Sequence, residues 1–110
     1  MLNIEIFLKM RLMFPEITES QFQVLMHFAF GSNNETIADA LKCSQNAVKL
    51  SLRRIKENLD TDRLDTVRHI YNTRIYMALM APKDFPQKYF DEYVKRKKIN
   101  SKGTPSNTNT

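Results

Sequence analysis

The sequence predicts an all-α fold: a small helical bundle that contains a helix-turn-helix and has helical segments on both sides of it. The prediction depends on three observations. Apolar residues recur at helical spacing between Ser44 and Leu59, capping residues precede the central helical segments, and only the first segment has a strand-like pattern. With 110 residues, the chain has the length of one small domain.

The composition favours a polyanionic partner and excludes several kinds of site. The formal charge is +5 and the sequence pI is about 9.5, and the basic residues cluster near positions 42–56 and 83–102. A single cysteine, Cys43, cannot form an internal disulfide, and two isolated histidines, His27 and His69, provide no metal-ligand spacing. We therefore expect no metal and no cofactor.

The first apolar run lacks the features of a membrane span or a signal peptide. Glu5, Lys9 and Arg11 interrupt it, and no stretch reaches the roughly 18 apolar residues that a span requires. One unpaired cysteine is most simply compatible with a reducing compartment. These patterns predict a cytoplasmic protein with no membrane contact.

Residues 1–14 give conflicting indications of secondary structure. Every even position from Leu2 to Phe14 is apolar, which is typical of a strand, but the residue types favour a helix and no other segment provides a strand partner. We predict a largely buried helix that ends before Pro15. A strand paired with another subunit is the alternative.

The next helix begins with a capping box and ends at a glycine. Thr18 and Gln21 can satisfy each other's backbone donors, and Gly31 can adopt the left-handed conformation that ends a helix. We expect His27 and Phe28 to lie away from the buried stripe. The residues predicted to face inward are Phe22, Leu25, Met26 and Ala29.

Two further helices complete a helix-turn-helix pattern. Asn33 and Asn34 cap a short helix, a turn follows at Lys42 and Cys43, and Ser44 caps the next helix. The predicted buried stripe of that helix is Val48, Leu52, Ile55 and Leu59. Its opposite arc contains Asn46, Lys49, Leu50, Arg53, Arg54 and Glu57.

The following helix is long and has apolar residues on more than one side. Thr61 or Asp62 can cap it, and Pro82 ends it near Ala81. Its surplus apolar surface is either a dimer interface or a surface covered by residues 1–14. The candidate interface residues are Tyr71, Ile75, Tyr76 and Met80.

Residues 82–99 form an amphipathic segment that begins near Pro86 and ends in the basic run Lys95 to Lys98. That run is either a phosphate-contacting surface or a solvated helix end. The tail, residues 100–110, is polar and without periodicity, and we expect it to be disordered.

Within residues 15–81, the chain resembles the DNA-binding domain of LuxR/GerE-type transcription regulators. The resemblance covers about fifty residues, and it is carried by Thr18, Val24, Leu25, Ala29, Gly31, Asn34, Ile37, Ala38, Leu41, Ser44, Val48, Lys49, Ile55, Leu59 and Arg63. Ala47 stands where the family commonly has Thr, and the turn at residues 60–62 is one residue short. The resemblance implies a tetrahelical helix-turn-helix whose Lys49, Leu50 and Arg53 lie nearest the bases.

The predicted function is therefore a sequence-specific regulator that binds double-stranded DNA as a homodimer and is not an enzyme. Arg and Lys can donate to guanine, and an exposed Leu can contact a thymine methyl. The alternative is a protein-interaction module, an anti-activator or a sigma-like fragment that binds a partner regulator or RNA polymerase. The predicted phosphate-contacting residues are Asn33, Asn34, Lys42, Ser44, Gln45, Asn46, Arg54 and Lys56.

Overall fold

The computed structural model describes residues 4–101, and within them it describes the side chains of residues 4–98. Six helices make up the described part of the chain, which confirms the predicted all-α class. They are α1 (Ile4–Leu12), α2 (Glu19–Ala29), α3 (Asn34–Leu41), α4 (Gln45–Asn58), α5 (Leu64–Met80) and α6 (Phe85–Ser101). None of the described helices is long and apolar enough to cross a membrane.

Local capping hydrogen bonds form at the starts of α2, α3 and α4, at the residues that the sequence predicts. The Thr18 hydroxyl accepts from the Gln21 N–H at 3.2 Å, and the Gln21 side chain accepts from the Thr18 N–H at 3.1 Å. Gly31, at φ 96°, follows the end of α2 in the left-handed region. The side chains of Asn33 and Ser44 accept from the N–H groups of Thr36 and Ala47 and so cap α3 and α4.

The start of α5 differs from the prediction. Arg63 occupies the N-cap position and makes no capping hydrogen bond with its side chain. The Thr61 hydroxyl instead accepts from the Arg63 N–H at 3.3 Å, within the turn before α5. The end of α5 agrees with the prediction, since its C-cap is Ala81, just before Pro82.

The core lies where α2, α4 and α5 meet, and the segment after α1 completes it. Ile4–Leu12 forms the predicted helix, not the alternative strand, and it ends before Pro15. No residue of α1 itself is fully buried, so the predicted burial of this helix was wrong. Met13 and Phe14, beyond its end, are fully buried instead. Phe14 stacks on Tyr71 of α5 with the ring centroids 5.6 Å apart, which ties the N-terminal segment to the bundle.

Phe28 was expected to lie away from the buried stripe of its helix, but it is buried and only 8% exposed. The Arg68 guanidinium of α5 lies over its ring at 4.4 Å from the centroid. A helical wheel of α2 alone places Phe28 beside the main stripe. It is buried because α5 crosses α2 at this point and supplies a second covering surface.

α6 packs mainly against α1, whereas α4 packs against α2, α3 and α5. α6 therefore has a different main packing partner from α4. The helix continues through Asn100 to Ser101, the first two residues of the tail that was predicted to be disordered. The rest of that tail, residues 102–110, lies outside the described residues.

Candidate nucleic-acid interface

α3 and α4 meet through a tight turn that orients α4. Lys42 takes the left-handed conformation at φ 57°, and the Cys43 N–H donates to the Ala38 carbonyl at 3.0 Å. The Ser44 hydroxyl then accepts from the Ala47 N–H at 3.0 Å and starts α4. Local hydrogen bonds therefore fix both the end of α3 and the start of α4.

α4 has one buried side and one exposed side, as its periodicity predicts. Val48, Leu52, Ile55 and Leu59 are buried, and α4 packs against α2, α3 and α5. The residues of the opposite arc are all exposed, and they are Asn46, Lys49, Leu50, Arg53, Arg54 and Glu57. The helix therefore presents a row of base-compatible and phosphate-compatible side chains to solvent.

The cations of this helix form no ion pair within the part of the chain whose side chains are described. Among residues 4–98, no acidic side chain forms an ion pair with Lys49, Arg53, Arg54 or Lys56. Several other basic side chains, such as Arg11 and Arg74, do have carboxylate partners. The positive charge of α4 is therefore available to an external anion.

A cleft of about 430 Å³ adjoins one edge of this exposed row. We call it the α3–α4 cleft, and its lining residues are Phe28, Ser32, Asn33, Asn34, Lys49, Leu52, Arg53, Lys56 and Leu64. Lys49, Arg53 and Lys56 occur at i, i+4 and i+7 and so lie along one side of α4. The cleft joins two groups of predicted contact residues, the start of α3 and the basic edge of α4.

The remaining predicted phosphate-contacting residues do not line the cleft. Lys42, Ser44, Gln45, Asn46 and Arg54 are exposed, so each can be approached from solvent. The side-chain oxygen of Asn33 accepts from the Thr36 N–H at 2.8 Å, so Asn33 also has a structural role at the start of α3.

Four cleft residues were not predicted as contact residues from the sequence, and they are Phe28, Ser32, Leu64 and Leu52, the last of which was predicted only as part of the buried stripe. Ser32, Phe28 and Leu64 come from the loop before α3, from α2 and from α5, and none of them belongs to the helix-turn-helix periodicity. Ser32 directly precedes the predicted caps Asn33 and Asn34, and that position is the sequence signal that could have found it. Phe28 and Leu64 gave no local signal, because only the packing of α2 against α5 brings them to the cleft.

The candidate dimer surface on α5 is smaller than predicted. Tyr71 is only 6% exposed and stacks on Phe14, so it lies in the core of its own chain and is removed from the candidate surface. Ile75 is half-buried, whereas Tyr76 and Met80 are 65% and 68% exposed. Met77 and Leu79 are exposed beside them, so the apolar surface is confined to the C-terminal end of α5.

A capped short helix, a left-handed turn and an exposed cationic helix define a helix-turn-helix protein. The model of a family described as bacterial regulatory proteins, luxR family, matches residues 16–76, more than half of the chain. The chain belongs to this family, which associates it with DNA-binding regulation and confirms the resemblance found in the sequence. Neither a curated protein nor a solved structure matches the chain.

Proposed function

We propose that the protein is a sequence-specific transcription regulator of the cytoplasm and that α4 enters the major groove of double-stranded DNA. An α-helix fits that groove, and base edges there present distinguishable donors and acceptors. The observation that carries the proposal is the exposed row on α4, whose cations have no carboxylate partner among the described side chains.

Within this row, Lys49, Leu50 and Arg53 are the proposed base-contacting residues. Arg53 and Lys49 can donate to guanine O6 and N7, and Leu50 can contact a thymine methyl group. The other exposed cations and amides of the region hold phosphates, which sets the position of α4 on the duplex without reading its sequence. The proposed function requires no catalytic group and no cofactor.

We also propose a homodimer that forms through the C-terminal end of α5. Tyr76 and Met80 are one helical turn apart and strongly exposed, and exposed apolar clusters of this kind commonly mark interfaces. A two-fold dimer would place two copies of α4 on paired half-sites.

A second candidate function is an interaction module that binds a partner regulator or RNA polymerase, as an anti-activator or a sigma-like fragment does. A specific observation favours it: α1 also carries exposed large apolar side chains, at Ile4, Ile6 and Leu8. The unpaired cations of α4 favour the DNA-binding function, since a module without DNA contact has no evident use for them.

Selection of bound duplexes from a random pool distinguishes the two functions. The regulator predicts enrichment of a defined sequence, and a dimeric regulator predicts two related half-sites. The interaction module predicts only weak binding to every duplex, with a steep loss of affinity as salt increases. The matched control is a chain in which Lys49 and Arg53 are both changed to Gln, which should enrich nothing.

A further inference from the structure

A second cleft lies between α5 and α6, where the segment that follows α1 also contacts α5. We call it the α5–α6 cleft, and its volume is about 310 Å³, near the lower end of the range of small-molecule sites. Its apolar lining comes from Ile70 and Met77 of α5, Met13 of the N-terminal segment and Tyr89 of α6. Met13, Met77 and Tyr89 lie outside residues 16–76, so membership of the family does not account for this cleft.

Arg74 lines the same cleft, and its contacts within the protein use only part of its hydrogen-bonding capacity. Nη1 donates to the Met13 carbonyl at 2.9 Å and to Glu16 Oε1 at 2.8 Å, and Nη2 donates to Glu16 Oε2 at 2.8 Å. The Nε–H and the second Nη2–H, side by side along one edge of the planar guanidinium, have no acceptor among the described residues. Since the Arg74 side chain is only 19% exposed, such donors carry a desolvation cost that an acceptor in the cleft would remove.

We propose that this edge of Arg74 faces the α5–α6 cleft and that the cleft binds a small apolar molecule through a neutral carbonyl oxygen, such as that of a carboxamide. The carbonyl oxygen accepts from the free donors of Arg74, and the apolar body of the ligand packs on Ile70 and Met77. This inference is independent of the proposed DNA-binding function, since none of the residues that line the cleft belongs to α3 or α4.

The charge balance around Arg74 favours a neutral ligand over a carboxylate. Glu16 forms an ion pair with Arg74 and already balances its charge. A ligand carboxylate on the adjacent edge would place a second negative charge close to Glu16, and it would also lose its hydration in an apolar cleft. A neutral carbonyl oxygen accepts the same hydrogen bonds without this repulsion, and a hydrogen bond from a charged donor is stronger than one between neutral groups.

The first experiment titrates the full chain with 2-naphthamide and follows the backbone amide shifts together with the Nε–H signal of Arg74. Binding in the cleft predicts saturating shifts at Ile70, Thr73 and Tyr89 and a saturating shift of the Arg74 Nε–H. The matched probe is 2-naphthoate, which has the same shape and a negative charge. We expect it to bind about tenfold more weakly, because it brings a like charge close to Glu16.

The second experiment compares two variants of α5 that add the same charge at neighbouring positions. Thr73 lines the cleft, whereas Asn72 is exposed outside it. Thr73→Asp should weaken 2-naphthamide binding by about tenfold, because the new carboxylate competes for the donors of Arg74 and makes the cleft more polar. Asn72→Asp should leave the affinity for 2-naphthamide unchanged. Circular dichroism of both variants checks that the helices are retained.

The two experiments decide between a specific site and an empty crease between helices. A saturating shift of the Arg74 Nε–H, a preference for 2-naphthamide and a loss of binding in Thr73→Asp alone support the site. The proposal is overturned if the shifts do not saturate, if the Arg74 Nε–H is unaffected, if 2-naphthoate binds at least as tightly, or if both variants have equal effects. Selection of DNA sequences is measured separately, so failure of this site would leave the proposed regulator intact.

Discussion

Arg53 and Arg54 are neighbours in the sequence, yet they lie on different sides of the exposed arc of α4. Arg53 lines the α3–α4 cleft and Arg54 does not, although both are exposed and neither has a carboxylate partner among the described side chains. This difference of about 100° around the helix axis gives adjacent arginines different access to the groove and to the backbone.

Arg53→Ala should weaken binding to the selected DNA site by about 1–3 kcal/mol and relax discrimination at one base pair, as loss of a bidentate base contact does. Arg54→Ala should weaken binding to all sequences alike and reduce the salt slope by about one, because it removes a phosphate contact. Affinities measured for the selected site and its single-base variants check both. Unchanged base preferences in Arg53→Ala would contradict the base-reading role.

The ion pair between Arg74 and Glu16 joins α5 to the segment that follows α1. The Arg74 guanidinium donates to both Glu16 carboxylate oxygens at 2.8 Å and to the Met13 carbonyl at 2.9 Å. Burial lowers the pKa of Arg74, but the hydrogen bond and the charge of Glu16 outweigh burial and raise that pKa above its ordinary value. Both side chains are mostly buried, so this pair is screened less than a surface pair.

Glu16→Gln should lower the free energy of unfolding by about 1.5–3 kcal/mol, because it weakens hydrogen bonds to a largely buried charge. The matched control is Asp84→Asn, which breaks the exposed pair with Lys88 and should leave the free energy of unfolding nearly unchanged. Urea unfolding of the three chains measures both effects. Equal stability of Glu16→Gln and the wild type would show that the pair contributes little.

At the scale of the element, the exposed residues of α5 change from polar to apolar along the helix. One side of α5 is buried along the helix, at Val67, Tyr71 and Ala78. On the other side, His69, Asn72 and Thr73 are exposed polar residues, whereas the exposed residues near the C-terminal end are apolar. Association through α5 would therefore be limited to its last turns.

Tyr76→Asp combined with Met80→Asp should give a folded monomer that binds a paired site much more weakly, since the second half-site contact is no longer effectively intramolecular. Asn72→Asp, on the polar part of the same side, is the control and should remain dimeric. Sedimentation at micromolar concentration gives the oligomeric state. A wild-type chain that stays monomeric on a paired DNA site would refute dimerisation through α5.

At the scale of the whole molecule, the two clusters of basic residues belong to different parts of the fold. α4 packs with α2, α3 and α5, and α6 packs mainly with α1. Arg96 of α6 pairs with Glu92, and Lys88 pairs with Asp84, so part of the positive charge of α6 is already neutralised. The position and pairing of α6 favour the solvated helix end over the phosphate-contacting surface.

Changing Lys95, Arg96, Lys97 and Lys98 together to Gln should therefore leave specific affinity and its salt slope nearly unchanged. Arg54→Gln is the comparison, since a single change on α4 should reduce the slope by about one. Affinities at several salt concentrations measure both slopes. A flatter slope in the fourfold variant would place α6 near the duplex and assign the run to phosphate contact.

The sequence by itself determined the features that depend on near neighbours. The helical class, the capping box at Thr18, the caps at Asn33 and Ser44 and the buried stripe of α4 all result from groups within four residues of one another. The helical period also predicted which side chains of α4 are exposed. Such features are predictable because a capping hydrogen bond or a helical stripe needs no knowledge of how helices are arranged.

Only the tertiary structure decided the features that join distant segments. Arg74 meets Glu16 across 58 residues, Phe28 is buried because α5 crosses α2, and Tyr71 stacks on Phe14 and is lost to the dimer surface. The α3–α4 cleft likewise needs residues from α2, α4, α5 and the start of α3. A single-helix pattern cannot predict these contacts, because each depends on the angle and distance at which two helices pack.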